Sequence, residues 1–145
     1  ARAVIPAVIT QLLSGAKEIK LGRIDPIRDF NYVQDVVHAF CAIARADDGV
    51  IGQEINISTG VGISIGEAAD TIMAAIGRTA EILLDTERIR PDGSEVERLI
   101  GLSDKLKSLT GWSPQFDFDK GILETVNWFT DPDNLARYKP GVFNI

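Results

Sequence analysis

The residues with the greatest chemical potential in this sequence are arginines. The stretch EIKLGRIDPIRDF, residues 18–30, sets Lys20, Arg23 and Arg28 close together in a chain of formal net charge -6. Further on, Arg88, Arg90 and Arg98 surround an irregular RIRPDGSEV. Pro91 holds Arg90 extended, because a proline disfavours the α region for the residue before it. A guanidinium is a planar fork of donors, and on a stiff backbone it suits bidentate recognition of a phosphate. Pairing with neighbouring acids is the competing reading, and spacing alone slightly favours it.

Other motifs offer less. TGVGISIG follows an expected strand and opens an expected helix, and Asp85 ends the next strand about twenty residues on, the context of a dinucleotide fingerprint. Gly60, Gly62 and Gly66, however, give G-x-G-x-x-x-G, and Ser64 is placed to cap the helix through the N–H groups a pyrophosphate needs. A capped strand-to-helix turn is the simpler reading. His38 is the one imidazole and lies mid-helix among apolar residues, where it reads as a packed side chain. Cys41, one turn later, reads as a small core residue with nothing to activate it. Asp47 and Asp48 beside Gly49 read as a solvated turn, and Trp112 as an anchor for the loop after Gly111. No catalytic residue and no metal site are expected.

The elements that must carry these residues alternate. Residues 2–13 have Val4, Val8, Ile9, Leu12 and Leu13 close to one helical face, with Pro6 tolerable in the first turn and Gly15 as the stop. That pattern outweighs a signal peptide, whose apolar run Pro6, Thr10 and Gln11 would interrupt. EIKL and the region around RDFN read as two short strands flanking the turn GRIDPI, a rigid hairpin. VQDVVHAFCAIARA reads as an amphipathic helix, with Val33, Val36, Val37, Phe40, Ile43 and Ala44 at helical period and Asp35 in the first turn. QEINIS reads as a strand. SIGEAADTIMAAIG reads as a helix with a Ser64–Glu67 capping box and Gly77 at its end. AEILLD is a further strand, RLIGLS a short one, and DKLKSLTG and DKGILETVNWFT the last helices. This order argues an α/β fold.

Composition narrows the function classes. At 145 residues, 45% hydrophobic and 25% charged, the chain has the material of one folded domain. A pI near 4.7 argues against nucleic acid, which needs a dense basic face. One cysteine and one histidine exclude a disulfide framework and nearly exclude an ordinary zinc site. No apolar run approaches the length of a membrane span. The cytoplasm is the expected compartment. The chain opens inside a helix without an initiator Met, so it is expected to be a piece of something longer.

RDFNYVQDVVHAF, GQEINISTGVGISIGEAADTI, RPDGSEVERL and SDKLKSLTGWSPQFDFDKGILETVNWF, in that order, resemble the C-terminal part of extended short-chain dehydrogenase/reductases. These are the NAD-dependent nucleotide-sugar epimerases and 4,6-dehydratases, isomerases and lyases respectively. The resemblance covers residues 1–129. RPDGSEVERL is most similar to dehydratases acting on nucleotide-activated N-acetylhexosamines.

The resemblance implies an α/β fold of short mixed strands packed with helices, lacking the N-terminal Rossmann core. Residues 1–130 would be a nucleotide-sugar-binding domain and 131–145 a tail. It implies that Arg28 and Arg90 contact a substrate diphosphate, Glu95 the ribose, and backbone of Lys20, Leu21 and Gly22 the nucleobase, with Arg2 near the diphosphate. Arg78, outside the resembling segments, would tolerate alanine. Such enzymes hold NAD through an N-terminal glycine loop and use a Tyr-x-x-x-Lys pair. Here Tyr32 is followed by Val36 and Tyr138 by Val142, so neither fits. The expectation is therefore a substrate-binding portion, catalytically incomplete by itself, with NAD bound only in the complete enzyme. A homo-oligomer is expected, with no nucleic-acid or membrane partner. A stand-alone nucleotide-binding or interaction domain without enzymatic role is the alternative.

Overall fold

The computed structural model describes residues 3–88 and 96–138. The chain forms two compact units, one from Ala1–Pro26, Ser64–Glu97 and Ile122–Ile145, the other from Ile27–Ile63 and Arg98–Gly121.

In the first unit, α1 (Val4–Leu13) buries Val8, Ile9 and Leu12 completely. Each such side chain removed from water contributes about 1.5–3 kcal/mol. Gln11 is buried as well, because its amide is spent: Nε2 donates to the Ala7 carbonyl at 2.9 Å, and Oε1 accepts the Lys20 N–H at 2.9 Å. Strand β1 (Glu18–Leu21) therefore leaves the helix already tied to it. Ile19 and Leu21 point inward, and Glu18 and Lys20 point out, the two-residue alternation of a strand. Its partner is β4 (Glu81–Leu84), parallel and in register from Glu18↔Glu81 to Leu21↔Leu84. Between them α3 (Ile65–Ile76) buries Ala68, Ala69 and Ile72 and ends at Gly77, whose φ of +71° is a left-handed conformation suited to glycine. From Ile122 onward helix α5 (Phe118–Thr130) belongs to this unit, and there it buries Ile122, Val126 and Phe129, spaced four and three residues apart along one face. The short α6 (Pro132–Leu135) starts at Asp131, whose side chain accepts the Asp133 N–H.

In the second unit, β2 (Ile27–Arg28) is parallel to β5 (Arg98–Leu99), and β3 (Ile63–Ser64) completes a sheet of order β3-β2-β5. Helix α2 (Val33–Arg45) packs against α4 (Asp104–Thr110) around Ala39, Leu106 and Trp112, with Ile43, Ile55 and Ile57 half-buried beside them. The architecture is the mixed α/β one that the sequence implies.

Three expectations need correction. EIKL and RDFN do not form a hairpin. The chain between them is used elsewhere: Ile24 and Pro26 carbonyls accept the N–H groups of Gly66 and Ile65 at the start of α3. Each strand instead pairs in parallel with one much later in the chain. QEINIS forms no strand and joins no ladder among the described residues. Finally, the inward side of α2 is not the one its large apolar residues suggest. Asp35 and Ala39 are fully buried, whereas Val33, Val37 and Phe40 are 63%, 52% and 63% exposed. His38 and Cys41 are exposed too, not packed.

Candidate functional site

The parallel pair β1–β4 ends at a tight junction in the first unit. The Asp85 N–H donates to the Leu21 carbonyl at 2.7 Å, which carries the pairing one residue past β4. Gly22 then passes so close to the chain at Arg88 that a Cβ there would lie 2.8 Å from the Arg88 carbonyl oxygen. Arg88 Nε donates to Asp85 Oδ2 at 2.9 Å. That hydrogen bond is the main cause of an Asp85 pKa below its ordinary 3.8, opposed by partial desolvation and aided by the Glu87 N–H and the charges of Arg88 and Lys20. Lys20, Leu21 and Gly22 thus lie at the carboxyl end of a parallel pair, the end at which α/β folds commonly take ligands. The Lys20 N–H and the Leu21 carbonyl are already engaged, by Gln11 and Asp85 respectively.

Of the cations in the opening stretch, Arg23 forms a bidentate pair with Glu97, at 2.5 and 3.1 Å. Arg23 and Arg88 thus follow the ion-pair reading. Arg78 is not the inert position expected: it donates to the Leu12 carbonyl at 2.8 Å, closing the C-terminal end of α1. Arg2, Arg90 and Glu95 lie outside the described residues.

Arg28 belongs to the second unit. It is half-buried on β2, and one guanidinium nitrogen donates to the Ile27 carbonyl at 2.9 Å, which orients the fork from its own strand. The next residue, Asp29, was not singled out from the sequence. Its Oδ1 accepts the Thr59 N–H at 3.0 Å and the Thr59 hydroxyl at 2.6 Å. Oδ2 accepts the N–H groups of Gly60 at 2.9 Å and Gly101 at 3.3 Å. Asp35 was expected only to favour the helix dipole. It is fully buried, and its two oxygens accept the N–H groups of Gln115 at 2.9 Å and Phe116 at 3.1 Å. No local signal marked either, since Asp29 follows Arg28 and Asp35 follows Gln34.

A cleft of about 500 Å³ in the second unit is lined by Phe30, Val61, Ile63, Phe116 and Phe118, with Asp117 and Asp119 also on its wall. Among the described residues the charged side chains lining it are carboxylates, so it does not suit a phosphate.

The glycine turn does not fit NAD. The Gly60 N–H is held by Asp29 and that of Val61 by the Thr59 hydroxyl. At the start of α3, Ile65 and Gly66 donate to Pro26 and Ile24, and Glu67 donates to Ser64 Oγ. Glu67 in turn accepts from the Ser64 N–H and hydroxyl, which hold its carboxyl below the ordinary 4.5. The donors a pyrophosphate would use are occupied, so the chain has no dinucleotide fingerprint here.

The chain has relatives among known proteins. Residues 1–125 match the family model described as GDP-mannose 4,6 dehydratase. A UDP-N-acetyl-alpha-D-glucosaminuronate decarboxylase of Bacillus cytotoxicus is 32% identical over 133 residues, covering 90% of this chain and 41% of that protein. A dTDP-glucose 4,6-dehydratase of Shigella flexneri is 29% identical over 147 residues, covering 96% and 39%. Among solved structures, an epimerase of Methanothermobacter thermautotrophicus superposes with a TM-score of 0.82 at 27% identity, covering 94% of this chain and 39% of that one. The dTDP-glucose 4,6-dehydratase of Bacillus anthracis, solved with NAD, gives a TM-score of 0.75 at 25% identity, covering 90% and 40%. The chain spans about two fifths of the length of these relatives. With most of its length matched by one family model, the chain belongs to the GDP-mannose 4,6 dehydratase family.

Proposed function

We propose that this chain is the substrate-binding portion of an NAD-dependent nucleotide-sugar epimerase or 4,6-dehydratase, and that it takes a nucleoside diphosphate sugar. The observation that carries this is Arg28, a half-buried guanidinium oriented by its own strand carbonyl, in a chain matched to the family over residues 1–125. Arg28 and Arg90 contact the diphosphate, with Arg2 nearby. Glu95 takes the ribose. The nucleobase lies against Lys20, Leu21 and Gly22. Because the Lys20 N–H and Leu21 carbonyl are engaged, the base is read chiefly by what remains at Gly22 and by apolar contact.

Residues 1–130 make up this portion and 131–145 the tail. No residue of this chain is assigned a catalytic role. NAD is held by other parts of the complete enzyme and supplies the hydride chemistry there. The occupied donors at the glycine turn support that division. The enzyme is a cytoplasmic homo-oligomer with no nucleic-acid or membrane partner. Among the described residues no helix is long and apolar enough to cross a membrane.

The test is calorimetric titration of the 145-residue chain with UDP, GDP and dTDP. At least one should bind saturably, and Arg28→Ala and Arg90→Ala should each weaken it by roughly 10-fold, the loss of one charge-assisted contact of about 1.5–3 kcal/mol. Arg90→Lys should recover part of that, since an ammonium lacks the fork. A second reading, an interaction domain whose arginines serve only ion pairs, is favoured for Arg23 and Arg88 by their pairing with Glu97 and Asp85. It predicts no diphosphate binding.

A further inference from the structure

We infer that Asp29 is a positioning residue for the diphosphate-binding cation and acts through Arg28. This rests on the reading of Arg28 given above. Asp29 follows Arg28 directly, so in extended chain their side chains leave opposite faces of the strand. Asp29 therefore need not touch a ligand to control where Arg28 stands.

Its contacts hold the strand on two sides. The Asp29 N–H donates to the Leu99 carbonyl at 3.1 Å, extending the β2–β5 pairing by one residue. The carboxylate draws in the backbone N–H groups of Thr59, Gly60 and Gly101 and the Thr59 hydroxyl, between 2.6 and 3.3 Å. Three segments distant in sequence thus meet at one side chain. There is little slack: a Cβ on Gly101 would lie 2.5 Å from Ser58 Cβ, and one on Gly62 would lie 2.7 Å from Ile27 Cγ2. Only a group with two acceptor oxygens can receive these four donors. An amide at position 29 would turn its NH2 toward N–H groups.

The geometry makes Asp29 a fixed point for β2. Arg28 is strung between that point and the Ile27 carbonyl to which it donates. A diphosphate clamp needs its cation pre-placed, because each side chain immobilised on binding costs affinity. Asp29 removes part of that cost in the free protein.

The experiment is a double-mutant cycle on the 145-residue chain, using whichever of UDP, GDP and dTDP binds most tightly. Asp29→Asn is expected to weaken that diphosphate about 10-fold and to leave the corresponding nucleoside, which lacks phosphate, unchanged. In an Arg28→Ala background the same substitution should cost nothing further, because its effect passes through Arg28. A merely structural Asp29 would lower the melting temperature but leave affinity well below that temperature intact, and intact affinity overturns the proposal. So do additive losses in the double variant. Should Asp29→Asn fail to fold, Thr59→Val, which removes the hydroxyl that donates to Asp29 and accepts the Val61 N–H, should lower diphosphate affinity two- to threefold, again only when Arg28 is present. A normal response to Asp29→Asn alongside a large one to Arg28→Ala refutes the Asp29 role alone. No response to Arg28→Ala refutes the reading of Arg28 and the proposal with it.

Discussion

Asp35 and Phe116 are joined by a hydrogen bond from the Phe116 N–H to Oδ2 at 3.1 Å, across a separation of 81 residues. The other oxygen takes the Gln115 N–H, and the carboxylate is fully buried. Removing it would strand two backbone donors inside the second unit. Asp35→Ala should therefore cost about 2–4 kcal/mol of stability, read as a fall in the urea midpoint. Asp35→Asn retains one oxygen and should cost less. Equal midpoints for wild type and Asp35→Ala would show these bonds to be unimportant.

Two glycines should respond in opposite directions to alanine. At Gly22 the new methyl would meet the Arg88 carbonyl at 2.8 Å, a contact with backbone that cannot rotate away. About 1–3 kcal/mol should be lost. At Gly66, in the first turn of α3, the nearest atom would be at 3.6 Å, an ordinary contact. Alanine is the better helix former, so Gly66→Ala should be neutral or stabilise by up to about 1 kcal/mol. Thermal unfolding of both variants checks the contrast.

Arg78→Ala should lower stability by up to about 1 kcal/mol, because it removes one of two donors to the Leu12 carbonyl at the end of α1, the Gly15 N–H being the other. Diphosphate affinity should be unaffected. A change in affinity without a change in melting temperature would contradict this assignment.

Acid should destabilise the fold partly through Glu67 and Asp85. Both carboxyls are held below their ordinary values of 4.5 and 3.8, by the Ser64 N–H and hydroxyl and by the Arg88 hydrogen bond respectively. The unfolded chain then binds protons at a higher pH than the folded one, so stability rises with pH through this range. The contribution is complete above the unfolded values and lost as pH falls through the folded ones. The urea midpoint should be flat from about pH 8 to 6 and fall below about pH 4.5. The Glu67→Gln, Asp85→Asn variant should show a shallower fall.

The outward stripe of α2, Val33, Val37 and Phe40, is more than half exposed, and the segment after Gly52 joins no ladder among the described residues. An exposed apolar face, and separately a segment whose backbone joins no ladder, each invite pairing with a second copy. Light scattering of the 145-residue chain should give a mass that rises with concentration, and Phe40→Lys should reduce the rise. A constant monomer mass would count against it.

Local chemistry was legible in the sequence where neighbours decide it. The Ser64–Glu67 capping box and the stops at Gly15, Gly77 and Gly111 depend on residues within one turn, and the structure has them. Strand pairing was not legible, because GRIDPI contains turn residues whose carbonyls turn out to serve α3, more than thirty residues away. The buried face of α2 was misread because both of its sides carry apolar residues, so periodicity could not tell which one packs. Asp29 and Asp35 were passed over because their partners are backbone groups of distant segments, which no spacing rule reveals. The fate of Arg23 and Arg88 was one of two open readings, and it was settled by the positions of Glu97 and Asp85.

The two-unit division has a consequence for how the molecule is made. The first unit needs residues from three separated stretches, the second from two, and neither is a continuous run of chain. On a ribosome, β2 must wait for β5, and Asp35 for Phe116, 81 residues later. Within these 145 residues neither unit is completed early, and most of this length must be present before either sheet can close. Folding of these units should be slow for their size, since distant loops must close before any ladder rewards them. During that wait the half-made chain is the form most in need of a chaperone.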